Sequence, residues 1–108
     1  MDRSQIASSV AKALFATEAA VEDALAQSAL LMRGMITARR ALGLPLAAGD
    51  PALRRVSATL DALGDAQREI VGAHGELEAL RRKTGLRIIG FGPLIKPMTG
   101  AAEEQPAD

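Results

Sequence analysis

The stretch Arg39-Arg40-Ala41-Leu42-Gly43-Leu44-Pro45-Leu46-Ala47-Ala48-Gly49-Asp50-Pro51 decides the fold. Two arginines stand where the dipole of a helix C-terminus favours cations. Gly43 can take the left-handed conformation that closes a helix, and Pro45 cannot continue one. Asp50 then offers an N-cap, and Pro51 suits a first helical position. A stop signal and a start signal thus lie within eight residues of each other. A helix on each side must reverse direction here.

Upstream, residues 2–42 contain no proline and one glycine, Gly34. Alanine dominates, and leucine, methionine, glutamine, glutamate and arginine, all good helix formers, accompany it. Asp2 with Gln5 three residues on is a capping-box pattern. The spacing predicts one helix of about 40 residues, roughly 60 Å long at 1.5 Å per residue. Downstream, the pattern predicts a second helix from 51 to about 84. It ends at Gly85 after the basic turn Arg81, Arg82, Lys83. Its interior glycines Gly64, Gly72 and Gly75 weaken it locally, and a bend near 72–75 is expected.

The second helix carries a narrow apolar seam: Leu53, Val56, Leu60, Leu63, Gln67, Ile70, His74, Leu77. The steps alternate three and four, as in a heptad repeat. Gln67 and His74 are the polar members, placed to fix register. The first helix is apolar over a wider arc. Taking Leu14, Val21, Met35 and Leu42 with Val10, Ala24, Leu31 and Ala38 as its seam leaves Phe15, Leu25, Leu30, Met32 and Ile36 outside or at the edge. A helix apolar on more than one side requires more than one cover.

The fold class expected is therefore all-α: a long antiparallel helical hairpin over 1–85, with its turn at 43–50, dimerising into a four-helix bundle. Leu25, Leu30, Leu31, Met32, Met35 and Ile36 are the candidate self-association residues. The alanines Ala13, Ala16, Ala19, Ala20 and Ala26 would permit close helix approach. The competing covers are residues 86–98 folded back over the first helix, and a different protein.

Residues 86–100 form an irregular apolar and basic segment. Arg81, Arg82, Lys83, Arg87 and Lys96 surround Ile88, Ile89, Phe91, Leu94 and Ile95, while Gly90, Gly92, Pro93 and Pro97 break any long helix. The segment reads either as a strap across the bundle end near Ile6 and Val10, or as a peripheral contact with an anionic membrane or hydrophobic granule. The tail 101–108 is acidic and is expected to be disordered. At the other end, Arg39, Arg40, Arg54 and Arg55 gather at the hairpin tip with Asp50 and Asp61 the nearby acids. They form a candidate anion or partner contact, or a solvated tip neutralised by a partner subunit. Nucleic acid binding through this tip is the weaker alternative, because stacking aromatics are nearly absent.

Composition excludes much chemistry. The 108 residues hold 13 basic and 13 acidic side chains, one histidine, two phenylalanines and no cysteine, tryptophan or tyrosine. A thiolate zinc site, a disulfide framework and a cysteine nucleophile are all ruled out. His74 and Glu78, four apart, make at most half a metal or proton site. Gly90-Phe91-Gly92 completes no phosphate-binding loop. No catalytic, cofactor-binding or metal residue is expected, and no enzyme activity. No secretory signal pattern or run of roughly 20 apolar residues occurs, so a cytoplasmic protein is expected. In composition the alanine-rich helices resemble those of phasins, which coat storage granules, and that resemblance implies attachment to a hydrophobic surface. The function expected from the residues themselves is that of a small interaction protein, an adaptor, regulator or structural subunit, acting as a homodimer on a protein partner.

Overall fold

A computed structural model describes residues 2–86. The chain forms two helices, α1 over Arg3–Ala41 and α2 over Asp50–Thr84, and no strand occurs among the described residues. The fold is the expected all-α antiparallel hairpin.

Local sequence accounts for each helix end. The Asp2 carboxylate accepts from the Gln5 backbone N–H at 2.8 Å, and the Gln5 side-chain oxygen accepts from the Asp2 N–H at 2.9 Å. This reciprocal pair satisfies two donors that a helix start leaves orphaned. At the end of α1, Gly43 has φ +69°. Its N–H donates to the Arg40 carbonyl, and the Leu44 N–H donates to the Arg39 carbonyl, both at 3.0 Å. This is a Schellman closure. The end of α2 repeats it: Gly85 has φ +72°, Gly85 N–H donates to Arg82 and Leu86 N–H to Arg81. Arg39-Arg40-Ala41-Leu42-Gly43-Leu44 and Arg81-Arg82-Lys83-Thr84-Gly85-Leu86 are one Arg-Arg-x-x-Gly-Leu pattern used twice.

The start of α2 differs from expectation. The Leu53 N–H bonds to the Gly49 carbonyl, so Gly49, at φ +79°, is the cap. Asp50 lies one step inside the helix, and its carboxylate receives Arg54 Nε at 2.7 Å. The turn 45–50 winds tightly, with Ala48 N–H on Pro45 and Asp50 N–H on Ala47, and this winding carries Asp50 past the cap position.

The described residues fall into two compact units. One runs from Ala16 to Val71 and contains the turn. In it α1 turns Glu18, Val21, Leu25, Ser28, Met32, Met35 and Arg39 inward, all half-buried, in alternating steps of three and four. They face Leu53, Val56, Leu60, Leu63, Ala66 and Ile70 of α2, also half-buried. The α2 seam is the expected one except at Gln67, which is exposed, while Ala66 turns inward. Burying a primary amide without partners is costly, and a small apolar neighbour one position away takes the place.

The α1 seam differs more. Leu14, Val21, Ala24 and Met35 are buried or half-buried as expected of the seam, but Val10, Leu31, Ala38 and Leu42 are exposed, and Leu25 and Met32, expected outside it or at its edge, turn inward. The wide apolar arc of α1 is compatible with several stripes. Packing against the narrow stripe of α2 selects one of them.

The second unit joins residues 2–15 to 72–86. In it the Phe15 ring meets the His74 ring, and Ala7, Ala11 and Leu14 line one groove together with Leu77 and Arg81. All four buried side chains of the described residues, Ala11, Leu14, His74 and Glu78, lie here.

Gly72 and Gly75 are exposed and helical, and an added Cβ meets nothing within 4 Å at either. Gly72→Ala and Gly75→Ala are each expected to raise unfolding free energy by about 0.5–1 kcal/mol. Gly43→Ala, which forces a left-handed alanine, is expected to lower it by about 1–2 kcal/mol. Urea denaturation followed by circular dichroism checks both signs.

Candidate interaction surfaces

Of the six candidate self-association residues, four belong to the hairpin itself. Leu25, Met32, Met35 and Ile36 are half-buried in the turn-containing unit. Leu30 and Leu31 stay outside, at 60% and 55% exposure. With Gly34, Ala38 and Leu42, also exposed, they form an outward stripe at helical spacing. No large side chain of the described residues is fully buried. The hairpin therefore covers one face of α1 and leaves a second apolar face in water.

The four tip arginines do not act alike. Arg39 is half-buried and its Nη1 reaches the Leu44 carbonyl at 3.5 Å. Arg54 is tied to Asp50. Arg40 and Arg55 are exposed, and no ion pair among the described residues engages either guanidinium. Beside them Leu44 and Leu46 of the turn stand exposed, Leu46 at 83%. The tip is thus cationic and apolar together. Periodicity does not mark turn residues, so the leucines of 42–46 carry no signal as a group in the sequence.

At the other end, Glu78 is buried and yet ionised. Its carboxylate receives Arg81 Nε at 2.9 Å and Arg81 Nη2 at 2.7 Å, a two-pronged pairing, and Arg82 Nε at 3.2 Å. The Arg81 hydrogen bonds outweigh the burial that opposes them, and Arg82 adds to the effect; together they lower the carboxyl from 4.5 to about 2. Arg81 Nη1 also donates to the Leu86 carbonyl at 2.9 Å. One guanidinium thus binds the buried acid and the end of α2 together. The i, i+3 and i, i+4 spacing of Glu78 to Arg81 and Arg82 is the signal that announces this cluster. The His74 ring lies 5.9 Å from the Phe15 ring at a tilted angle. No group of three or more metal-ligating side chains occurs among the described residues.

Next to this cluster lies an apolar groove of about 230 Å³, lined chiefly by Ile6, Val10, Leu14, Leu77, Leu80 and Leu86. Alanines 7 and 11 leave the space that larger side chains would fill. Of the candidate partner contacts of 81–98, Arg81 and Arg82 are committed to Glu78, and Lys83 is exposed. Arg87, Ile88, Ile89, Phe91, Leu94, Ile95 and Lys96 lie outside the described residues, as do the expected strap and tail. No described helix is long and apolar enough to cross a membrane.

No family model matches the chain, and neither a curated protein nor a solved structure matches it.

The Glu78 carboxyl has a lower pKa folded than unfolded, so protons bind the unfolded chain first. Its contribution to stability is complete above about 4.5 and is lost as pH falls toward about 2. Urea midpoints measured across that window are expected to fall more steeply for the natural chain than for Glu78→Gln.

Proposed function

We propose that this chain is a non-enzymatic helical interaction protein that works by self-association through the outward stripe of α1. The observation that carries the proposal is that Leu30, Leu31 and Leu42 remain exposed on one helical face after α2 has covered the other. Large leucines in water at helical spacing are an unsatisfied interface. Burying each is worth about 1.5–3 kcal/mol, and a twofold pairing counts every residue twice. Gly34 and Ala38 between the leucines allow two backbones to approach closely. Docking two hairpins along this stripe gives a four-helix bundle with α1 central, and the remaining faces are free for another protein. A cytoplasmic location suits a chain of this composition.

The test is the mass in solution. Light scattering after size exclusion is expected to give twice the 11.2 kDa chain mass. Leu31→Asp is expected to return the mass to one chain with the helical circular dichroism unchanged. Met35→Asp, at a half-buried position facing α2, is expected to lose helix content as well. A natural chain that stays at one chain mass at micromolar concentration overturns the proposal.

A second reading rests on the tip. Exposed Leu44 and Leu46 beside the unengaged Arg40 and Arg55 suit an anionic lipid surface better than nucleic acid, which has no use for bare leucines. Sedimentation with anionic vesicles, lost in Leu46→Glu and in Arg40→Gln with Arg55→Gln, is the expected outcome. Salt-sensitive retention on DNA without vesicle binding would point to nucleic acid instead.

A further inference from the structure

We infer that the apolar groove of the unit formed by 2–15 and 72–86 is the seat of the chain's own residues 87–98. The groove is lined by Ile6, Val10 and Leu14 of α1 and by Leu77, Leu80 and Leu86 beyond them. Ile6, Val10 and Leu80 stay about half exposed, so the groove is apolar surface in want of a cover. The position of Leu86 identifies that cover. Leu86 is itself a lining residue, held by its N–H on the Arg81 carbonyl and its carbonyl on Arg81 Nη1. The described residues therefore end at the groove wall, with Leu86 held there at both its N–H and its carbonyl.

Residues 87–98 suit the groove in composition and length. Ile88, Ile89, Phe91, Leu94 and Ile95 supply five large apolar side chains within eight residues. Gly90, Gly92 and Pro93 oppose any continuation of α2 and favour a chain that bends. Arg87 and Lys96 flank the apolar run, where long cationic side chains can keep their heads in water. The Ile6–Leu14 stretch of α1 is about 12 Å long at 1.5 Å per residue. Twelve extended residues reach about 40 Å, so the segment can cover the groove with chain to spare. A covalently attached occupant also needs no association from dilute solution, because its effective concentration at the groove is high.

The same segment from a second copy could fill the groove in exchange, and one labelling experiment separates the two. The seating of 87–98 does not depend on self-association through α1. The chain has no cysteine, so a single Arg3→Cys accepts one nitroxide label on the full-length protein. Arg3 is exposed and lies one turn before Ile6 on the same helical face. Strong loss of amide NMR intensity over 88–95 is expected within the labelled chain. No loss is expected when isotope-labelled chains without nitroxide are mixed with nitroxide-labelled chains of natural isotope content. Leu80→Asp, on the groove rim, is expected to restore the signals while far-ultraviolet dichroism stays helical. A label moved to Ser57 is expected to leave 88–95 unaffected. Undiminished signals in the Arg3-labelled chain overturn the inference, as does loss that persists in Leu80→Asp. Loss in the mixed sample overturns it in favour of a second copy.

Discussion

Two helices packed side by side can each dry only one face, and this constraint governs the whole chain. α2 meets it better, because most of its large apolar residues lie on one stripe, with Val71 and Leu80 left exposed. α1 meets it less well, because its apolar residues cover a wide arc. The result is a hairpin with a thin core. In the turn-containing unit every seam residue is only half-buried. The four buried side chains are all in the other unit, where Phe15, an aromatic, and paired charges thicken the packing. The outward leucines of α1 and the groove at the open end are two consequences of one shortage of cover.

Charge is handled locally. Arg54 answers Asp50 one turn away, Arg68 answers Asp65, and Arg81 and Arg82 answer Glu78. The exposed pairs are worth little because water and salt screen them. The Glu78 cluster differs because its carboxylate is buried and would be costly without its partners. Arg81 also fastens Leu86, so one side chain couples the buried acid to the exit from α2. The balanced net charge hides a distribution in which cations gather at helix ends. Of the tip guanidiniums, only those of Arg40 and Arg55 stay unengaged among the described residues.

Self-association, lipid contact and strap docking each assign a cover to a different piece of exposed apolar surface. The α1 stripe is long, regular and rich in small residues, which suits another helix. The tip mixes leucines with arginines, which suits an interface between oil and anionic water. The groove is short and lies where the chain itself continues. The three surfaces use different residues, so one assignment does not compete with another.

Much of the fold is legible in residues alone. Asp2 and Gln5 announce their capping box, Gly43 and Gly85 their left-handed closures, and Leu53 to Leu77 the inner stripe of α2. These features are local: each depends on groups within a turn or two, so composition and spacing suffice. The cap of α2 falls on Gly49 rather than Asp50 because the winding of the turn decides which carbonyl starts the helix. The inner face of α1 is legible only in part: Leu14, Val21 and Met35 turn inward as their spacing predicts, while Leu31 and Leu42 do not. Leu25 and Leu31 are the same residue type on the same alanine-rich helix, and only contact with α2 makes one inner and the other outer. The groove and the burial of Glu78 share that origin. The sequence by itself determined where helices start, stop and reverse, because backbone hydrogen bonds and glycine conformation are short-range. Tertiary structure alone decided which apolar surface is left uncovered, because that depends on what the other helix has already hidden.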